Sequence, residues 1–167
     1  MKKIYLLLAI AFAFSSCEKD DICDANTSTT PRLIIQFYDS VNTTELKNVS
    51  NLQVTGVGLA TPLAVFNGVS TIELPLKTDA TTTKFSLILN STSTTGTNNE
   101  DFLEFNYTSQ PIFVSRACGY KSVFQLSATN GVLQTNAAAP DESWILGMTI
   151  QTNTIETENE THIKIYF

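Results

Sequence analysis

The sequence predicts an all-β fold, an antiparallel β-sandwich or open barrel of about eight or nine strands. Three observations carry this expectation. The 167 residues include 24 Thr, 14 Ser and 13 Asn against one His, one Trp and two Met, and Thr, Val, Ile and Phe suit a pleated, half-buried surface. From Pro31 onward apolar and polar residues mostly alternate, the period of a strand with one buried face. Turn residues separate the alternating runs: Asn67-Gly68, Asn130-Gly131, Cys118-Gly119 and the polar run from Ser91 to Asn99. No stretch carries an apolar stripe of helical period, and Ala, Leu, Glu and Lys are too few for a helical bundle. At 43% hydrophobic the chain is too apolar to be disordered, and 16 acidic residues against 10 basic ones argue against a nucleic-acid partner.

Taken in order, the first element is not a strand. Lys2 and Lys3 precede an apolar run from Ile4 to Phe14, then Ser15, Ser16 and Cys17, which describes a secretory signal peptide over residues 1–16. Eleven apolar residues rise only ~16 Å as a helix, against ~30 Å of hydrocarbon, so the run is too short to span a bilayer. Ser15-Ser16-Cys17 resembles the lipobox of bacterial lipoproteins, in which the cysteine is acylated and becomes the new amino terminus. Phe14 is bulkier than the Leu usual in that motif. The plain alternative is an ordinary signal followed by an incidental cysteine. Lipidation at Cys17 makes the membrane a partner, since two or more acyl chains anchor stably. Loss of Lys2 and Lys3 leaves eight basic and sixteen acidic side chains, a formal charge of −8 on 151 residues.

Residues 17–30 then form a lipidated tether, and 31–167 a β-domain. Lys19, Asp20 and Asp21 resemble the short Lys-acidic-acidic signal that exports lipoproteins of Bacteroidota to the outer face of the outer membrane. Read simply as a charged, solvated tether, the same residues leave the periplasmic face as the alternative. With Cys17 assigned to lipid, Cys23 and Cys118 remain as an even pair in an oxidising compartment. Paired, they close a loop of 94 intervening residues, worth roughly 4–5 kcal/mol on chain-entropy arguments. Five residues, Glu18 to Ile22, would then separate lipid from cross-link, at most about 18 Å when extended. Two unpaired thiols are the alternative.

Four strands read best: Leu33, Ile35 and Phe37 on one face; Phe85, Leu87 and Leu89; Leu103, Phe105 and Tyr107; and Ile163, Ile165 and Phe167. Weaker runs are 52–57, 69–74, 112–118, 122–126 and 144–152. Pro75 marks a strand end or an edge, and Gly119 suits a positive φ at a tight corner.

No catalytic constellation is recognised, and no cofactor or metal is called for. His162 is the only imidazole, which excludes a multi-histidine metal site, and the alternation puts it on a solvent-facing strand side beside Lys164. Ser70 lacks the second glycine of a nucleophile elbow. The loop Gly96 to Asp101 offers oxygens of the kind calcium takes, in a spacing that equally suits any hairpin loop, and the acidic run Glu156 to Glu160 reads as a solvated turn. A carboxylate pair, Glu100 or Asp101 with Glu104, is the least favoured route to a hydrolase. Trp144, Tyr38, Tyr107, Tyr120 and Tyr166 offer stacking faces to a sugar, with Trp144 the leading contact, though core packing explains them equally. Asp39-Ser40-Val41 resembles a short O-glycosylation sequon. Arg116 and Lys121 flank Cys118 and are candidates for contact with anionic lipid or lipopolysaccharide, or with Asp20 and Asp21; the alternative is a disulfide-braced turn with ordinary charges.

Six segments together, Cys17 to Cys23, Thr30 to Asp39, Leu46 to Val49, Leu74 to Asp79, Phe105 to Tyr107 and Val114 to Lys121, resemble a family of small flavobacterial lipoproteins classed as a domain of unknown function. Arg116-Ala117-Cys118-Gly119-Tyr120-Lys121 is the most specific of them. The resemblance implies a lipoprotein of that bacterial group and brings no activity or ligand with it. The expectation is a non-enzymatic lipoprotein of the outer membrane that binds an envelope protein partner or supports the envelope, with a glycan- or small-ligand-binding accessory module as the alternative.

Overall fold

The computed structural model describes residues 22–94, 98–137 and 142–167. The signal peptide over 1–16, Cys17, and the Lys19, Asp20, Asp21 signal lie outside the described residues. Among the described residues there are eleven strands and no helix: β1 Leu33–Tyr38, β2 Leu52–Gly56, β3 Ala64–Phe66, β4 Thr71–Leu74, β5 Thr82–Leu89, β6 Asn99–Ser115, β7 Gly119–Leu126, β8 Val132–Asn136, β9 Gly147–Ile150, β10 Thr154–Ile155 and β11 Ile163–Tyr166. They form a four-stranded sheet, β4-β1-β11-β9, and a seven-stranded sheet, β10-β7-β6-β5-β2-β3 with β8 also on β6. The fold is an all-β sandwich, antiparallel except where the first strand, β1, lies parallel to the last, β11.

Alternation does the work expected of it. Leu33, Ile35 and Phe37 meet Ile163 and Ile165 from one sheet and Leu52, Val54, Phe85, Leu87, Leu103 and Phe105 from the other, all but Phe85 (2%) fully buried. The strand count rises from the expected eight or nine because the short β3, β8 and β10 were not read in the sequence. In the other direction, the two runs expected at 103–107 and 112–118 are one continuous strand, β6, which passes through Pro111. The amide of Tyr107 donates towards the β5 side, to Thr81 O at 2.9 Å. Pro111, four residues on, has its nitrogen turned the same way, where β5 has already ended, so its missing N–H removes no ladder bond. Pro75 falls just after β4, an edge strand that ends at Leu74.

Strands β7 and β8 both run antiparallel to β6, one beyond the other. Tyr107 pairs with Leu126 and Phe105 with Val132, so the excursion Ser127–Gly131 sits opposite Asn106 alone. A Cβ on Gly131 would lie 2.5 Å from the Ser127 carbonyl oxygen, so the excursion closes only around glycine.

Buried polar groups act as brackets. The Tyr107 hydroxyl donates to Lys77 O at 2.8 Å and is paired with Thr83 Oγ1 at 2.6 Å, and Thr83 Oγ1 accepts the Lys77 amide at 3.0 Å. Burial pushes the Tyr107 phenol above its ordinary pKa. His162 corrects the expectation of a surface residue: it is fully buried. Its backbone N–H donates to Ile34 O at 3.0 Å, while its ring Nδ1 accepts the Ile34 N–H at 2.8 Å. The imidazole therefore stands in for a strand carbonyl and lengthens the β1–β11 ladder. The segment after β10 covers this face, held by Arg32: its Nε and Nη2 each donate to a carboxylate oxygen of Glu158 at 2.8 Å, and Nη1 lies 2.6 Å from Glu73. Paired with Arg32, Glu158 titrates below the usual carboxylate range.

Two outcomes follow from these packings. Burial depresses the His162 pKa below 6.5, against weaker opposing pulls from Glu160, the Thr157 backbone and Glu158. The unfolded chain then takes up the proton first as pH falls, so this stability is complete above about 6.5 and drains below it. Protonation would also put a second donor against the Ile34 N–H. Between pH 7.5 and 5.5 the melting temperature should drop in the native chain and drop less in His162→Asn, whose amide oxygen can replace Nδ1; equal drops contradict the assignment. Gly131→Ala should lower stability by about 1–3 kcal/mol through overpacking, read in a denaturant melt, and an unchanged midpoint would refute the close approach.

Candidate functional site

The feature that sets this sandwich apart grows out of β6. That strand has 17 residues, but β5 accompanies it only from Asn99 to Asn106. Beyond that point β6 continues with β7 alone, pairing from Tyr107 to Ser115, and the two form a ribbon that leaves the core. Exposure rises along it: Tyr107 is 4% accessible, Ile112 39%, Phe113 57% and Tyr120 70%.

A two-stranded ribbon is marginal in water by itself, and this one is braced along one edge. Cys23 and Cys118 are joined by a disulfide at the ribbon's turn, with Cα atoms 4.9 Å apart. From there the chain runs back beside β7: the Lys121 ammonium donates to Ser28 Oγ at 2.9 Å, and the Ser122 amide donates to Thr30 Oγ1 at 2.9 Å. Further towards the body, Thr154 and Ile155 of β10 pair with Gln125 and Phe124. The exposed edge of β7 is thereby covered, which also removes a template for edge-to-edge association. At the turn Gly119 has φ +72°, the positive value foreseen for it, and the Cys118 amide donates to Ser115 Oγ at 3.0 Å.

Of the residues singled out in the sequence, the fold brings Cys23, Cys118, Arg116 and Lys121 to this one place. Arg116 is exposed in the turn, and Lys121 borders a groove of about 280 Å3 with Cys23, Thr27, Ser28, Thr30 and Tyr120. A larger cavity, about 380 Å3, lies at the ribbon's base beside Asn106 and Thr82. Its Asn106 is already engaged, accepting from Thr82 Oγ1 at 2.9 Å and donating to Asn130 O at 3.0 Å.

Trp144 is not part of the site, which corrects its reading as a leading contact. It is 7% exposed, packed 5.5 Å from Phe167 and 6.3 Å from Phe37, and its indole N–H donates to Leu87 O at 3.2 Å. A ring used as a stitch between sheets has no face left for a sugar. Tyr107 is buried likewise, whereas Tyr38 and Tyr166 lie 5.9 Å apart on the outer face of β1 and β11, with the Lys164 ammonium 4.8 Å over Tyr38.

Of the carboxylates in the hydrolase reading, the pleat separates Asp101 from Glu104, while Glu100 and Glu104 share a face four residues apart and are engaged with different partners. Asp101 points into the core, fully buried, and accepts from Ser143 Oγ at 2.5 Å and the Ile145 amide at 2.8 Å. Glu100 and Glu104 belong to the other face, where Glu100 accepts from Ser86 Oγ and Glu104 lies 3.8 Å from Lys84. Asp101 is thus a structural bracket for the Ser143–Ile145 segment, not half of an acid–base pair. Of the loop considered for calcium, Gly96 to Asp101, residues 96 and 97 lie outside the described residues. Among the described residues no cluster of three His, Cys, Asp or Glu side chains is placed to hold a metal.

Sequence reasoning missed the ribbon's projection and its apolar tip, because alternation reports which face is apolar and not whether anything covers it. One signal was available. From Phe105 to Pro140 there is no acidic residue, and Arg116 and Lys121 are the only charges, in a chain with sixteen acidic side chains.

A family model described as "Family of unknown function (DUF6452)" matches residues 51–167. The match runs from the start of β2 to the chain end, so it includes the whole ribbon and Cys118 and leaves Cys23 and β1 outside. No curated protein and no solved structure matches the chain. With 117 of 167 residues under the match, the chain belongs to the DUF6452 family, whose function is unknown.

Proposed function

We infer that the chain is a lipoprotein of the bacterial outer membrane, acylated at Cys17, whose β-domain is a non-enzymatic module for binding an envelope protein or supporting the envelope. The observation that carries this reading is the disulfide. The chain has three cysteines, and Cys23 and Cys118 are joined to each other. The third, Cys17, stands directly after Ser15-Ser16 at the end of a signal-like run, where a lipobox cysteine belongs. The similarity of Cys17 to Cys23 and Val114 to Lys121 to flavobacterial lipoproteins supports the same conclusion and suggests a source among Bacteroidota. Lys19, Asp20 and Asp21 favour the cell surface over the periplasmic face. The non-enzymatic part draws support from the buried polar groups: Asp101, Tyr107 and His162 each hold a backbone segment in place.

One experiment tests both halves. Intact cells are cross-linked and extracted in detergent, and the purified chain is analysed by mass spectrometry. The expected result is an amino-terminal Cys17 carrying acyl chains, together with a cross-linked envelope protein. An unacylated amino terminus sinks the anchor, and an acylated chain that traps no neighbour sinks the binding role.

A further inference from the structure

We propose that the tip of the β6–β7 ribbon docks into the interface of an anionic phospholipid bilayer, seating Phe113, Tyr120 and Ile112 at the boundary between headgroups and acyl chains with Arg116 and Lys121 against lipid phosphates. This rests on the lipid-anchor reading and names the surface that the anchored domain meets.

Four observations on the ribbon converge. First, its tip is apolar where it is bare. The register places Phe113 opposite Tyr120, on the face that continues the core side past Pro111 and Ser122. The two rings meet edge to face at 5.4 Å, yet 57% of Phe113 and 70% of Tyr120 remain exposed. Ile112 is 39% exposed on the opposite face, and Ile22, next to the disulfide, 83%. Such a rigid aromatic pair with one phenolic hydroxyl matches what membrane interfaces take up.

Second, the charge is of the right sign in the right place. An acidic body is repelled by an anionic surface, but β6 from Phe105 onward and all of β7 carry no acidic side chain, and at the tip two basic residues outweigh Asp24, the acid that the disulfide brings to the turn beside Cys23. The two basic residues are Arg116 in the turn and Lys121 two residues beyond Gly119. Basic residues beside an apolar wedge add electrostatic attraction to apolar burial.

Third, the chain outside the described residues departs from this very tip. The disulfide pins Cys23 to the turn, and Glu18 to Ile22 reach at most about 18 Å back to Cys17. An acylated Cys17 therefore holds the tip within a short reach of the bilayer. Fourth, the contacts of Ser28 and Thr30 along β7 stiffen the ribbon, so docking orders little that was free beforehand.

The test uses tryptophan depth. Trp144 is the only tryptophan and is buried, so the full processed lipoprotein reports little of the bilayer. Phe113→Trp places an indole at the tip, where its exposure allows the larger ring, and Tyr120→Trp does so independently. Each is reconstituted into vesicles of phosphatidylethanolamine and phosphatidylglycerol with brominated acyl chains, and Cys17 acylation is checked in the same samples. For rings seated at the acyl boundary, added emission should fall by about half in both variants and by less than about a tenth in the parent. Arg116→Glu added to Phe113→Trp should weaken that quenching. Acylated protein in which neither introduced indole is quenched overturns the docking and leaves the anchor standing. Quenching of unacylated protein mixed with the same vesicles supports the docking and overturns the anchor; unacylated and unquenched protein overturns both.

Discussion

The Cys23–Cys118 bond is the constraint on which the distinctive part of this molecule depends. It joins residues 95 apart in sequence, and closing so long a loop removes much of the unfolded chain's freedom, roughly 4–5 kcal/mol on entropic arguments. Its local effect matters as much. The ribbon of β6 and β7 projects beyond the sheet that supports it, and two strands without a packed face do not stay ordered by themselves. Fastening the ribbon's turn to the start of the domain turns a two-stranded hairpin into an edge of three adjacent chain segments: β6, β7, and the incoming chain from Cys23 to Thr30. The aromatic pair of Phe113 and Tyr120 is held out from the body for the same reason.

Inside the sandwich a different set of groups keeps irregular segments in register. Asp101 captures the Ser143–Ile145 segment, and Gln134 Nε2 reaches the same segment, donating to Ile145 O at 2.8 Å. Trp144 then fills the space between Phe37 and Phe167. Tyr107 closes a ring of hydrogen bonds with Thr83 and Lys77, which holds the approach to β5. His162 joins the approach to the last strand to the first strand across 128 residues of sequence, and burial favours its neutral imidazole, whose Nδ1 accepts. In each case a buried polar atom meets a backbone group that would otherwise lack a partner, as an interior of low dielectric demands. This places the polar interior in service of the fold and leaves the surface of the ribbon as the part that faces outward.

How much of this was legible beforehand differs by element. The strands with one buried face, such as β1, β5 and β11, were readable because a two-residue period survives burial against the other sheet. The edges β3, β8 and β10 were not: β3 and β8 have no fully buried face for a period to mark, and β10 has only two residues. β6 was legible only as two separate runs because Ser109, Gln110 and Pro111 between them carry no apolar alternation, although a proline whose nitrogen faces no partner leaves the strand intact. His162 misled the reading because alternation assumes solvent on the polar face, and a returning segment fastened by Arg32 to Glu158 covers that face. Trp144 had no periodic signal; its burial follows from Asp101, forty-odd residues away. The disulfide was legible from counting cysteines, and the positive φ of Gly119 from the need for a corner beside one of them.

Because the brace between Cys23 and Cys118 fixes where the tether leaves the body, how the ribbon stands and why Cys17 is the odd cysteine, its direct detection is the decisive measurement. Native protein is alkylated without reductant, digested, and mapped by mass spectrometry. The account predicts one linked peptide pair containing Cys23 and Cys118, which separates on reduction. Alkylation of either cysteine before reduction, or a bond from either to Cys17, would contradict it.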